Sequence, residues 1–256
     1  MAAALHLDAI GVLMRRNLNE ILRVPGAAIP GILAPAVFMV GLTAAFGKLT
    51  DLSGFDTTSY ISFLIPVSML QGASFTGAAT GVNMARDIEL GWFDRLFVAP
   101  LPRPALLAGI VLSASFRALL PVTGVLTIGL LLGVHWPGVP GVLLAIAFAL
   151  TFSAIAASWT VALALKFRTQ DAAPLMQSSM FIAVLFTTSY APLALLTGWL
   201  QTVAAINPIT QVIEGIRAVF LDNVTWTSTW HAIVVLIVVL GLTFAFALRQ
   251  LARTGR

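Results

Sequence analysis

The chain has 256 residues, of which 59% are hydrophobic and only 9% are charged. Soluble domains average about 45–50% apolar and about 25% charged residues, and a soluble fold of this size cannot bury so much apolar surface. The composition therefore excludes an ordinary soluble enzyme and predicts an integral membrane protein. The lack of cysteine further excludes disulfides, cysteine-ligated metal centres and a cysteine nucleophile.

An amphipathic helix is predicted in residues 1–24. Apolar residues recur there at steps of three and four and fall on one face, whereas charged and polar residues fall on the other. Such a helix lies in the membrane interface with its basic groups toward lipid phosphates. It is either a lipid anchor or a docking surface for a cytoplasmic partner, and the two roles are compatible. Its apolar face consists of Leu7, Ile10, Met14, Leu18 and Ile21.

Six later segments are apolar over the roughly 20 residues that a helix needs to cross a bilayer. The chain therefore predicts one all-α transmembrane domain, with a six-span bundle in 25–248 and a cytoplasmic tail in 249–256. The fifth span is the least regular, because it has a proline near each end. The six predicted spans are Pro25–Gly47, Ser59–Val82, Ala105–Gly133, Gly141–Leu165, Pro174–Leu196 and Trp230–Leu248.

The basic residues set the orientation of these spans. Eleven of the 14 lysines and arginines lie on the same side of the predicted membrane as both termini. Lysine and arginine are retained on the cytoplasmic side, so both termini are predicted to be cytoplasmic. The eleven residues are Arg15, Arg16, Arg23, Arg86, Arg95, Arg103, Lys166, Arg168, Arg249, Arg253 and Arg256.

The segment between the second and third spans mixes both charge signs with bulky apolar residues. This pattern predicts a short helix with an apolar face that ends before Pro100. The face packs either on the chain's own membrane domain or on a partner. The residues that carry the pattern are Arg86, Asp87, Glu89, Gly91, Trp92, Phe93, Asp94, Arg95, Pro100 and Arg103.

This segment resembles the cytoplasmic loop of ABC-2 type permeases, the membrane subunits of ATP-driven exporters. The order Asp87, Gly91, Asp94-Arg95 and then Pro100 is similar to the daunorubicin-resistance branch. The resemblance implies that the ten residues named above couple the chain to an ATPase. It also implies a dimer of membrane subunits, identical or homologous, with two ATPase subunits in the plasma membrane of a bacterium.

A second resemblance lies between the fifth and sixth spans. Asn207-Pro208-Ile209-Thr210, followed by Glu214 and Arg217, is similar to a segment of the same permeases. In that family the segment forms re-entrant helices in the outer leaflet, which implies an exterior gate built on Asn207, Pro208, Glu214 and Arg217. A proline after Asn207 also fits a helix start, and Glu214 and Arg217 at i,i+3 can pair on one face. Alternatively, the pair only makes an exterior helix soluble.

The sequence contains no Gly-x-x-x-x-Gly-Lys-Ser/Thr phosphate loop, so we expect ATP and Mg²⁺ to bind a separate subunit. The predicted function is export of a hydrophobic or amphipathic molecule, such as a drug or lipid-like metabolite, by alternating access, and not an enzymatic reaction on this chain. The alternatives are a permease for polysaccharide or glycolipid, or a stand-alone channel or secondary carrier. No metal site or other cofactor is predicted.

Four residues are candidates for a substrate path through the apolar spans: Gln71, Phe75, Arg117 and Gln177. Arg117 lies about 12 residues into its span, so about 18 Å deep, where an arginine costs about 2.5–3.5 kcal/mol. It either reaches toward a membrane surface or pairs within the bundle. Small residues in the second span predict close helix packing, either within the subunit or at a seam between subunits. They are Gly72, Ala73, Gly77, Ala78 and Gly81.

Overall fold

The computed structural model describes residues 29–55, 57, 59–93 and 102–254, and every regular element in these ranges is helical. The predicted interfacial helix in residues 1–24 lies outside them. Eight α-helices have both ends within the described ranges. They are α1 (Ile29–Phe46), α2 (Tyr60–Glu89), α3 (Arg103–Leu131), α4 (Gly138–Phe167), α5 (Ala173–Leu185), α6 (Gly198–Ile206), α7 (Pro208–Phe220) and α8 (Trp226–Thr254).

Five segments of the described chain are long and apolar enough to cross a membrane: α1 with the turn that follows it, α2, α3, α4 and α8. They correspond to the first four predicted spans and to the sixth. The helices α2 and α4 each contain 30 residues. At 1.5 Å per residue each is about 45 Å long, so its ends project beyond a hydrocarbon core of about 30 Å.

The prediction of one continuous helix over Pro174–Leu196 is wrong. The helix α5 ends after 13 residues, a length of about 20 Å that falls short of the hydrocarbon core. Residues 186–192 are not helical, and a single 3₁₀ turn follows them. The hydroxyls of Thr187 and Ser189 donate to the carbonyl of Val184 at 2.6 and 2.7 Å, and such local bonds compete with helix continuation.

The central helix of the bundle is α2, and 89% of its apolar 18-residue stretch is buried inside the protein. Its glycines allow the close packing. A Cβ atom on Gly77 would lie 2.6 Å from the Cβ of Ala156 in α4, and one on Gly81 would lie 2.5 Å from the Cβ of Thr160. The Thr160 hydroxyl also donates to the Gly77 carbonyl at 3.1 Å. The two glycines therefore pack within the subunit rather than at a seam between subunits.

Long-range contacts define two ends of the bundle. At the basic end, where α2, α4 and α8 finish and α3 begins, Glu89 bonds Gln170 and Arg103 donates to the Ala252 carbonyl. At the opposite end, His135 in the α3–α4 loop lies 3.0 Å from Asp222, which follows α7. The short helices α6 and α7 belong to this opposite end.

Candidate functional site at the broken fifth helix

The end of α5 leaves backbone carbonyls that a continuous helix would have used. In a membrane protein these groups need partners, because lipid offers none. The side-chain amide of Asn207 supplies two of the donors: its Nδ2 atom donates to the carbonyls of Ala183 at 2.9 Å and Phe186 at 2.8 Å. The break in α5 is therefore satisfied by a residue from a later helix.

Asn207 also starts α7. Its Oδ1 atom accepts a hydrogen bond from the Ile209 amide at 3.0 Å, and Pro208 occupies the first helical turn. Asparagine is a preferred N-cap and proline is preferred just inside a helix start. The predicted helix start at Asn207-Pro208 is confirmed, and the same side chain joins it to the end of α5.

Arg217 lies on the buried face of α7 and is only 4% exposed. Its guanidinium donates to the carbonyl of Thr188 at 2.8 Å and to that of Phe63 at 3.3 Å. It also lies 3.7 Å from the centre of the Phe63 ring, in a cation–π contact. One side chain thus ties α7 to the break after α5 and to the first turn of α2.

Glu214 completes this arrangement. Its Oε1 atom is 2.5 Å from Nη1 of Arg217 and accepts a further hydrogen bond from the Thr188 hydroxyl. The predicted i,i+3 pair therefore forms, with Arg217 buried and Glu214 partly exposed. Arginine keeps its proton in proteins, so Arg217 carries its positive charge beside the Glu214 carboxylate.

Two tyrosines extend the arrangement toward the middle of α2. The Tyr60 hydroxyl donates to the Tyr190 carbonyl at 2.8 Å, and the Gln71 amide donates to the Tyr190 hydroxyl at 3.3 Å. Neither tyrosine was among the residues predicted from the sequence, although they are the only two in the chain. We name the whole group the polar cluster: Tyr60, Phe63, Gln71, Thr188, Tyr190, Asn207, Glu214 and Arg217.

The described residues of the predicted coupling segment take three different positions at the basic end. Trp92 is 54% exposed, whereas Phe93 is buried in the apolar core. Gly91 has a φ of +70°, a conformation that suits glycine, and it turns the chain after α2. Arg86 is exposed and Asp87 is half-buried. Asp94, Arg95 and Pro100 lie outside the described residues.

Comparison with known proteins decides the family. A family model described as ABC-2 type transporter matches residues 8–221, most of the chain. The chain belongs to the ABC-2 type transporter family. Together with the five long apolar helices in the described part of the chain, this membership makes it a multi-pass membrane protein.

Several relatives of this ABC-2 chain are permeases. It is 29% identical over 217 residues to a probable doxorubicin resistance ABC transporter permease protein, DrrC, of Mycobacterium tuberculosis, covering 80% of this chain and 72% of the relative. It is 26% identical over 223 residues to the daunorubicin resistance ABC transporter permease protein DrrB1 of Streptomyces coeruleorubidus, covering 84% and 75%. It is 27% identical over 217 residues to a putative transport permease, ycf38, of Cyanophora paradoxa, covering 84% and 74%. The resemblance to the daunorubicin- and doxorubicin-resistance branch is confirmed.

The four residues predicted for a substrate path lie in different environments in this ABC-2 domain. Gln71 is buried and belongs to the polar cluster, and Phe75 is half-buried on the same helix. Arg117 is half-buried and donates from Nη2 to the Thr80 hydroxyl at 2.5 Å, so it pairs within the bundle. Gln177 is exposed on α5. Among the described residues, no group of three or more His, Asp or Glu side chains is arranged to hold a metal ion.

Proposed function

We propose that this chain is the membrane subunit of an ATP-driven exporter that moves a hydrophobic or amphipathic molecule out of a bacterial cell. The family match over residues 8–221, in a sequence with no phosphate loop, carries the proposal. ATP and Mg²⁺ bind two ATPase subunits, and a second membrane subunit, identical or homologous, completes the complex. The printed names of the two drug-resistance relatives support a drug-like substrate.

The proposed topology has six crossings with both termini in the cytoplasm. The basic end is cytoplasmic, and α5 with the non-helical residues after it forms the fifth crossing. The helices α6 and α7 then re-enter the outer leaflet before α8. Exposed tryptophans support this placement, because tryptophan is enriched at membrane interfaces. Trp136, Trp199, Trp226 and Trp230 lie at the opposite end, and Trp92 lies at the basic end.

The proposed division of the chain follows from the same topology. Residues 1–24 lie in the interface, 25–248 form one six-span domain, and 249–256 form a cytoplasmic tail. Arg86 and Trp92, which are both exposed, are the described candidates for direct contact with the ATPase. Phe93 instead anchors this segment to the membrane domain through its burial in the core.

The polar cluster is the proposed exterior gate. It joins the non-helical end of α5 to α7 and to the start of α2, so movement of any of these elements must carry or break its bonds.

Gln177 and the adjacent Ser178 are exposed on α5 although both belong to a predicted span. Polar side chains facing hydrocarbon are unfavourable, which supports a path for substrate along this face of α5, between two membrane subunits.

The proposal is tested with the chain purified together with its ATPase subunit and reconstituted in vesicles. We expect uptake of a hydrophobic dye into vesicles whose cytoplasmic face is outward, dependent on ATP hydrolysis. Equal dye movement without ATP or without the ATPase subunit would show a channel or secondary carrier instead.

A pair of matched variants tests the ATPase contact. We expect Trp92→Ala to weaken co-purification of the ATPase about tenfold, as loss of an interface tryptophan commonly does. Trp136→Ala is the control, because Trp136 is similarly exposed (51%, against 54% for Trp92) but lies at the opposite end. Equal losses in both variants would contradict a specific contact at Trp92.

A further inference from the structure

The segment 170–190 contains α5 and the non-helical residues after it. One end of this segment is bonded to the last residue of α2, and the other end is bonded to the first turn of α2. At the basic end, Glu89 is the last residue of α2, and its carboxylate accepts two hydrogen bonds from Gln170. The Gln170 amide reaches Oε1 at 2.8 Å, and its side-chain amide reaches Oε2 at 2.7 Å. Gln170 begins the 3₁₀ turn that leads directly into α5. Each carboxylate oxygen of Glu89 is thus used within the chain, although the residue is exposed.

At the opposite end, the residues after α5 are bonded to the first turn of α2. The Tyr60 hydroxyl donates to the Tyr190 carbonyl at 2.8 Å, and Arg217 bridges the carbonyls of Phe63 and Thr188. Between these two attachments α5 packs along α2. The segment Gln170–Tyr190 is therefore fixed to α2 at both of its ends.

We propose that Glu89 is a positioning residue that latches α5 to α2, so that α2 and the segment Gln170–Tyr190 move as one body. This inference rests on the proposed function, in which the chain after Glu89 receives the movement of the ATPase. The next residue, Leu90, already belongs to the turn that leaves α2. A displacement of this turn is carried through the latch to α5 and reaches Thr188 and the polar cluster at the far end. Glu89 thus acts through Gln170 and not by touching the ATPase.

Hydrogen exchange on the purified full chain in lipid nanodiscs tests the latch without any transport measurement. We expect Glu89→Ala to raise amide exchange in residues 186–192, at the far end of α5, by about two- to fivefold, the range that exposed polar contacts give. A rise confined to residues 168–175 would overturn the proposal, because Glu89 would then hold only its neighbour. Gln170→Ala, which keeps the backbone bond, is the second variant, with a smaller rise expected in the same place.

Arg103→Ala is the matched control for this experiment. Arg103 is also exposed at the basic end, and it donates to the Ala252 carbonyl at 3.3 Å, so its loss releases α8 and not α5. We expect no change of exchange in residues 186–192. A rise equal to that of Glu89→Ala would overturn the proposal, because the far end of α5 would then respond to any loss at the basic end.

A reversible cross-link decides whether the latch stays closed during transport. The chain has no cysteine, so Glu89→Cys with Gln170→Cys offers one thiol pair for a short reducible thiosulfonate linker. We expect the linked complex to keep at least about half of the ATP-driven dye transport of the unlinked one. Loss of transport that reduction restores would show that the latch must open and would overturn the proposal. Absence of ATP-driven transport in the unsubstituted complex would contradict the proposed function alone, and hydrogen exchange would still decide the latch.

Discussion

Replacement of Arg217 by methionine should be one of the most damaging single changes at the polar cluster. Methionine keeps an unbranched apolar stem, so the packing of α7 is largely preserved while the guanidinium is removed. The carbonyls of Thr188 and Phe63 then lose their donor, and Glu214 loses its ionic partner. Because the Arg217 side chain is 5% exposed, both carbonyls are left without a donor in a buried place. We therefore expect the free energy of unfolding to fall by about 2–6 kcal/mol, from about 1–3 kcal/mol for each buried group left without a partner.

Replacement of Glu214, the other member of the ion pair, should lower the free energy of unfolding much less. The Glu214 side chain is 42% exposed, and Arg217 keeps its carbonyl acceptors when Glu214 changes. Glu214→Gln also retains an oxygen that can accept from Arg217. We therefore expect Glu214→Gln to cost about 1 kcal/mol, as for one hydrogen bond. The double variant should show a coupling free energy of about 0.5–3 kcal/mol between the two changes, as for residues in direct contact.

Unfolding in mixed micelles by increasing fractions of dodecyl sulfate, followed by circular dichroism, measures these free energies. Lys48→Gln is the control, because it also removes a basic charge at the opposite end but from an exposed residue. A loss for Arg217→Met within about 0.5 kcal/mol of the control, which is the usual range for surface changes, would refute the reasoning. Strict additivity of the Glu214 and Arg217 changes would show that the pair does not act together. The same double-mutant cycle read by dye transport tests the role of the pair in the gate.

Two further predictions concern the interior of the bundle. Gly77→Leu should abolish folded yield, because even a Cβ atom there would lie 2.6 Å from the Cβ of Ala156. Gly41→Leu should be tolerated, because a Cβ atom there would have no neighbour within 4 Å among the described residues. Size-exclusion chromatography compares the folded yields of the two variants. Arg117→Leu should preserve membrane insertion but lower dye transport, because the bond to Thr80 between α2 and α3 is lost, and Arg117→Lys should restore it only in part. Normal transport by Arg117→Leu would remove this residue from the functional set.

The local chemistry of α7 could be predicted from the sequence. Asn207-Pro208 is a helix start because the asparagine side chain caps the next amides and proline needs no donor there. Glu214 and Arg217 pair because a spacing of three residues places them on one helical face. Each of these relations joins residues that are close in the chain, and helical geometry alone fixes them.

The break in α5 could not be predicted by the same means. Pro174–Leu196 has the length and apolar content of a span, and an average over 20 residues does not register three consecutive hydroxyl residues in its middle. Two of those side chains, on Thr187 and Ser189, donate to the carbonyl of Val184. The Asn207 side chain donates to two other carbonyls at this end of α5, those of Ala183 and Phe186. Whether a helix continues through such a run depends on partners that lie more than 20 residues away in the chain.

The sequence by itself determined that this is an all-helical membrane protein, where its long spans lie and where its second family segment starts a helix. These properties follow from composition, from helical period and from bonds between near neighbours. The tertiary structure alone decided that Arg217 is buried against Phe63 and Thr188, that Gln71 reaches Tyr190, and that Glu89 bonds Gln170. These contacts join residues 29 to 154 positions apart in the chain, and only the packing of α2 against α5 and α7 brings them within hydrogen-bond distance.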